Sequence, residues 1–257
     1  MQRLLEIHNL RKSFGGLNAV DGLDFHINEG EILGVIGPNG SGKTTLFNLI
    51  TGFLKPTAGK ILFQGKEIAG KRPHLIAKQG VVRTFQLNLL FRSFTVLENV
   101  AHAYQLQRQT GPIGAFFRPK RVRDEEAHFL QKAEEVIELA GMSDRRDQYA
   151  RQLSYGWQKT LTLAIGLATQ PKLLLLDEPI TGIAPTRVEA IGKLIRDANE
   201  KGVTICLIEH NVDLLMSLCD RIVALNFGQM MADGLPDEVA HDPNVVQAYL
   251  GGEDDNA

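Results

Sequence analysis

Eight consecutive residues, Gly37-Pro38-Asn39-Gly40-Ser41-Gly42-Lys43-Thr44, match the pattern G-x-x-x-x-G-K-[ST]. Glycines within such a run let successive backbone N–H groups turn inward around phosphate oxygens. The residues that follow, Lys43 to Thr51, have helical spacing, with Leu46, Leu49 and Ile50 on one side. A helix starting there turns its positive end toward the same anion. Lys43 is then the residue that reaches the β- and γ-phosphates, the Thr44 hydroxyl is a ligand for Mg²⁺, and Thr45 belongs to the same cradle. The competing reading, a glycine-rich turn that fits by accident, leaves unexplained the apolar strand Glu31 to Ile36 before it and the helix after it.

A second constellation stands far downstream. Leu173-Leu174-Leu175-Leu176-Asp177-Glu178 is an apolar strand ending in two acids. Open α/β sheets bind ligands at the carboxyl ends of their strands, so Asp177 is expected beside the phosphate loop, holding Mg²⁺ through a water or from behind its direct ligands. Glu178 comes next, points elsewhere, and is the candidate to polarise an attacking water. Two acids at a solvated strand end would be the better reading if the phosphate loop were absent.

The elements that must hold these groups follow from the pattern. Leu4 to Leu10 and Val20 to Ile27 read as strands joined by a turn near Phe14-Gly15-Gly16, and Lys60 to Phe63 and Val81 to Phe85 as further strands. Gln64-Gly65-Lys66 reads as a hairpin turn. From Thr95 to Leu167 the pattern is helical, broken at Thr110 to Gly114 ahead of a basic stretch with Arg118, Lys120, Arg121 and Arg123. Strands and helices then alternate: Leu173–Leu176, Pro185–Glu200, Val203–Ile208, Val212–Leu218 and Ile222–Leu225. That alternation predicts an α/β fold, a mainly parallel sheet with helices on both faces. We expect one domain over 1–257, in which 1–88 and 165–240 form the core with an antiparallel β subdomain. A helical subdomain is inserted at about 89–164, and a helix and tail follow at 241–257.

Composition excludes several classes. The chain has 257 residues, 44% hydrophobic and 23% charged, with a net charge of −2. It is long enough for a large core, and nothing in that balance calls for nucleic acid, whose phosphates demand a basic face. Cys206 and Cys219 are its 2 cysteines. No disulfide framework or cysteine-rich metal site is expected, and a reducing compartment fits. No run approaches the ~20 apolar residues of a membrane span. The segment Met1 to His8 lacks the apolar core of a signal peptide. The expectation is a soluble intracellular protein that meets a membrane only through partners.

Leu153-Ser154-Tyr155-Gly156-Trp157-Gln158 stands about twenty residues before the acidic pair. Ser154 is a good N-cap for the helical pattern after it, and that helix offers its positive end to an anion. In spacing and residues this segment resembles the L-S-G-G-Q signature of the ATP-binding subunits of ABC transporters, a family with a P-loop NTPase fold. Tyr155 stands for one glycine and Trp157 for the usual glutamine. The resemblance implies that ATP is sandwiched between two ATPase subunits, with Ser154 and Gly156 of one reaching the γ-phosphate held by the other. It implies that Gln86, in Arg83-Thr84-Phe85-Gln86, touches Mg²⁺ or the water and senses the membrane partner. His210, in Ile208-Glu209-His210, would contact the γ-phosphate. Phe14 would stack on adenine, against the alternative of a core or turn phenylalanine. In Pro179-Ile180-Thr181-Gly182-Ile183-Ala184-Pro185, Ala184 stands where the family has an aspartate, so one bond across the dimer is missing.

The likeness narrows further. Gly15-Gly16-Leu17-Asn18-Ala19-Val20, Leu46 to Gly52, Arg83 to Gln86, Thr95 to Val100 and Asp242 to Gly251 are similar to LivG-type subunits of branched-chain amino acid importers. The implied partners are integral membrane permeases, a second ATPase (the same chain or a related one) and, indirectly, an extracytoplasmic solute-binding protein. The implied location is the cytoplasmic face of the cell membrane. Relatives of this type serve urea and other small polar solutes, and no residue here reads the solute. Two alternatives stay open. An ABC-type ATPase acting on nucleic acid or ribosomes usually carries two ATPase halves or coiled-coil insertions. A small-molecule kinase needs an acceptor pocket and an arginine-rich lid.

Overall fold

The computed structural model describes residues 2–84, 90–104 and 119–250, with side chains at all of them but 119–122 and 250. Gln86, the break at 110–114 and Arg118 lie outside the described residues, as do the side chains of Lys120 and Arg121.

Strands β1 (Arg3–Phe14) and β2 (Leu17–Asn28) form a long antiparallel hairpin, continued by β4 (Ala58–Phe63) and β5 (Lys66–Glu67) in the order β2-β1-β4-β5. The hairpin strands run further than their apolar runs suggested. Cross-strand pairing carries the polar ends along, down to Phe14 opposite Leu17 at the turn. The second sheet has six strands in the order β10-β9-β3-β8-β7-β6. It is built from β3 (Ile32–Ile36), β6 (Val81–Thr84), β7 (Leu173–Asp177), β8 (Thr204–Ile208), β9 (Arg221–Asn226) and β10 (Gln229–Gly234). All neighbours pair in parallel except the β9–β10 hairpin. The sequence reading missed β10. Its residues are mixed in polarity and half-exposed, because it is an edge strand with no fully covered face.

Residues of the central strands alternate between two cores. Leu174 and Leu176 of β7 and Ile205 and Leu207 of β8 pack on one face; Leu173, Leu175, Cys206 and Ile208 pack on the other. Both cysteines are buried and free. The second face is covered by the four-stranded sheet and α1 (Lys43–Ile50), whose Leu46, Phe47, Leu49 and Ile50 are buried. Against the first face lie α5 (Tyr155–Ala168), α6 (Pro185–Glu200) and α7 (Val212–Leu218). Helix α2 (Pro73–Ala77) leads into β6. A helical arm of α3 (Val96–Ala103) and α4 (Pro119–Leu139) packs on α5. Helix α3 opens with a capping box, in which the Thr95 hydroxyl accepts from the Glu98 N–H and Glu98 accepts from the Thr95 N–H. Helices α8 (Pro236–Ala240) and α9 (Pro243–Leu250) follow β10. None of the described helices is long and apolar enough to cross a membrane.

Candidate functional site

The phosphate loop connects β3 to α1, and two of its glycines are dictated by close backbone approach. At Gly37, with φ of 150°, a Cβ would lie 2.1 Å from the Leu225 carbonyl oxygen. At Gly42, with φ of 104°, it would lie 2.4 Å from the Ala19 carbonyl oxygen. The loop is also tied from outside. The Gly228 N–H donates to the Ser41 carbonyl at 3.0 Å, from the β9–β10 turn. The Gly37 N–H donates to the Tyr249 hydroxyl at 2.8 Å, from α9.

Lys43 is buried and folded over its own loop. Its Nζ donates to the carbonyls of Gly37 at 2.7 Å and Pro38 at 2.9 Å, and to Ser41 Oγ at 3.4 Å. Burial lowers its pKa, while the carboxylates of Glu178 and Asp177 pull the other way. An ammonium so held is caged by weak acceptors and close to two charges, ready to exchange carbonyls for phosphate oxygens.

Asp177 and Glu178 diverge, as expected, and the reason is backbone geometry. Asp177 ends β7 in regular pairing opposite Ile208. Glu178 turns left-handed, with φ of 49°, a conformation that costs a non-glycine residue of order 1 kcal/mol and persists only when its surroundings fix it. They do: its N–H donates to the Ile208 carbonyl and its own carbonyl accepts from Lys159 Nζ, both at 2.9 Å. The Glu178 carboxylate then meets His210 Nε2 at 3.3 Å and the Thr181 hydroxyl at 3.3 Å. Residues Asn39–Thr45, with Ala19, Glu178 and His210, line one cleft of about 170 Å³. The loop, the acid and the histidine named from sequence are therefore brought together.

Asp177 carries a partner that the sequence reading did not name. Arg83 Nη2 lies 2.5 Å from Asp177 Oδ2 with both side chains buried. Its Nη1 donates to Asn48 Oδ1 at 2.6 Å, and the guanidinium lies 5.5 Å from the Phe47 ring centre. The available signal was a lone arginine within the apolar run Val81 to Phe85. No group of three or more His, Cys, Asp or Glu among the described residues is arranged to hold a metal. The Thr44 hydroxyl and the Asp177 carboxylate are hard oxygen donors of the kind Mg²⁺ takes alongside phosphate oxygens and water.

Ser154 and Gly156 do not line this cleft. Ser154 holds the N-cap position of α5 with extended backbone, and one expectation fails: its hydroxyl makes no capping bond. The first-turn N–H groups of α5 are thus without that acceptor, the arrangement in which a helix start receives an anion. Trp157 packs against two guanidinium groups, Arg187 at 3.5 Å and Arg145 at 4.0 Å from the ring centre. The indole therefore contacts both the segment after α4 and the first turn of α6. Burial, and then the charge of Arg145, lowers the Arg187 pKa. Phe14 sits exposed at the hairpin end with Lys12 Nζ 4.9 Å from its ring centre, outside the phosphate cleft.

The chain is similar to known proteins over most of its length. The family described as ABC transporter matches residues 20–181, and the family described as branched-chain amino acid ATP-binding cassette transporter matches residues 229–255. The high-affinity branched-chain amino acid transport ATP-binding protein LivG of Salmonella typhimurium is 40% identical, over 97% of this chain and 98% of its own. BraF of Pseudomonas aeruginosa, which carries the same description, is 39% identical over 96% of this chain and 98% of its own. A crystal structure of the ADP conformation of an ATP-binding cassette of an ABC transporter superposes with a TM-score of 0.85 at 35% identity, covering 98% of this chain and 100% of that one. Fold and sequence are shared with these proteins over nearly the whole length, and the chain belongs to the ATP-binding ATPase subunits of ABC transporters.

Proposed function

We propose that this chain hydrolyses ATP as one of two ATPase subunits beneath integral membrane permeases, driving import of branched-chain amino acids or a related small polar solute such as urea. The observation that carries the reading is the single cleft shared by the phosphate loop, Glu178 and His210. At about 170 Å³ it is far smaller than the roughly 300–1,000 Å³ of a complete small-molecule pocket. A half-site completed by Ser154 and Gly156 of a second subunit accounts for that size. The solute class comes from the relatives, LivG and BraF, both described as branched-chain amino acid transport proteins.

In this mechanism Lys43 leaves the Gly37 and Pro38 carbonyls for the β- and γ-phosphates, and the N–H groups of residues Gly40–Thr45 surround the same oxygens. Thr44, Asp177 and Gln86 are the residues that would hold Mg²⁺, which would supply positive charge against the developing phosphate charge. Glu178 orients the attacking water, and His210 donates to the γ-phosphate while fixing the Glu178 carboxylate. Phe14 stacks on the adenine. Hydrolysis removes the charge that joined the two halves, which makes the nucleotide the switch of an alternating-access cycle. The permeases dock in the groove between the core and the helical subdomain, toward Gln86, and attachment is peripheral, at the cytoplasmic face. A solute-binding protein outside the membrane delivers the cargo. The partner ATPase is either a second copy or a related chain, and nucleic acid has no part in the cycle.

The test is reconstitution with the permeases and the solute-binding protein in vesicles. ATP hydrolysis stimulated by leucine, isoleucine or valine, or by urea, supports the reading. Stimulation by DNA or ribosomes, with no effect of any solute, refutes it.

A further inference from the structure

We infer that Glu209 is a positioning residue that holds the loop of Glu178 and the backbone of His210 in register, by accepting main-chain hydrogen bonds from both. The inference deepens the reading above, in which Glu178 and His210 act on the γ-phosphate. Glu209 follows the last residue of β8 and is only 2% exposed. Its Oε1 accepts from the Ile180 N–H at 2.8 Å, and its Oε2 accepts from the His210 N–H at 3.2 Å. Ile180 is two residues beyond Glu178, and His210 touches Glu178 through Nε2 at 3.3 Å.

These bonds close a ring. The parallel pairing of β7 and β8 ends with Asp177 opposite Ile208. One further backbone bond, from the Glu178 N–H to the Ile208 carbonyl, extends it. Past that point Glu178 turns left-handed and the two chains can no longer pair through their backbones. The Glu209 carboxylate bridges the gap, with one oxygen for each chain. Only a carboxylate offers two acceptors there; a carboxamide would turn an N–H₂ group toward one of the two donors.

The arrangement is costly, which argues for a use. Burial raises the Glu209 pKa, the Ile180 and His210 N–H groups oppose that rise, and the nearby Glu178 charge adds to it. A buried charge of this kind is seldom the most stable choice for its site. What it supplies is geometry: displacement of a reacting group by about 1 Å costs roughly 10²-fold in rate. Glu209 and His210 also line a cleft of about 860 Å³ between α6 and α7.

The experiment measures kcat and ATP affinity for the full chain carrying Glu209→Gln, His210→Ala, or both. Wild-type ATP binding, with loss of turnover in Glu178→Gln, first establishes the underlying reading by itself. We expect Glu209→Gln to lower kcat roughly 10- to 100-fold at unchanged ATP affinity, and to cost less, though still measurably, in the His210→Ala background, where only the bond to the Glu178 loop still matters. If the Gln variant does not fold, Glu209→Asp carries the test. It keeps both acceptors one methylene short, so reduced kcat with intact ATP affinity upholds the brace. A wild-type kcat in the folded variant, or equal losses in both backgrounds, overturns it.

Discussion

The hydroxyl of Tyr249 accepts a hydrogen bond from the backbone N–H of Gly37 at 2.8 Å, joining the last described helix to the first residue of the phosphate loop. The two are separated by 212 residues of sequence. Burial raises the Tyr249 pKa, so the phenol stays neutral and keeps its place as an acceptor. The segment that carries it lies within residues 229–255, which match the branched-chain family specifically. Removing the hydroxyl with Tyr249→Phe leaves the Gly37 N–H without its acceptor, at about 1 kcal/mol. ATP affinity, measured by titration of the purified chain, should fall by roughly two- to tenfold with the fold intact. Unchanged affinity would mean that the loop keeps its shape without α9.

Arg83 is the fixed counter-charge of Asp177. Replacing it by Met keeps the stem over Phe47 but leaves a buried carboxylate uncompensated, a loss of about 3–5 kcal/mol. The melting temperature should drop by several degrees. Converting Asp177 to Asn in the same chain should restore much of the loss, since the stranded charge is then gone. No recovery in the double variant would show that the pair is not coupled.

Lys43 has a lowered pKa because burial outweighs the pull of Glu178 and Asp177. The triphosphate binds the ammonium form and favours its proton. ATP affinity should therefore fall as pH rises through the free-protein pKa, below the ordinary lysine range, and binding there should take up a proton. Calorimetry in buffers of different ionisation enthalpy reads the uptake directly. Lys43→Ala should abolish both the uptake and most of the affinity.

Trp157 stands at the glutamine position of the signature, and its indole contacts both Arg145 and Arg187. Each guanidinium–indole contact is worth about 0.5–2 kcal/mol. Trp157→Gln should loosen the helical arm from α6, seen as faster amide hydrogen exchange in both, and leave ATP binding to the phosphate loop unchanged. Exchange confined to residue 157 would contradict a linking role.

How much of this was legible beforehand depends on whether a residue's role was local. The phosphate loop, the ends of α6 and α7 and the apolar run Leu173–Leu176 of β7 are set by neighbours in sequence, so spacing alone revealed them. Strand β10 was not, since its edge position depends on pairing with β9. Arg83, Glu209 and Tyr249 escaped for the same reason: each acts on a residue from 29 to 212 positions away, through bonds that only the assembled sheet creates. The Ser154 hydroxyl shows the reverse, a good local capping signal that the folded chain does not use.

Everything in the proposed cycle depends on ATP joining two subunits. The direct measurement is sedimentation of the full chain carrying Glu178→Gln, alone and mixed with related ATPase subunits, with and without ATP. The variant should turn over ATP roughly 10²–10⁴ times more slowly. It should run as a dimer only when ATP is present, and return to monomer when Ser154 and Gly156 are also blocked by bulky residues. A variant that binds ATP yet stays monomeric in every mixture would contradict the account.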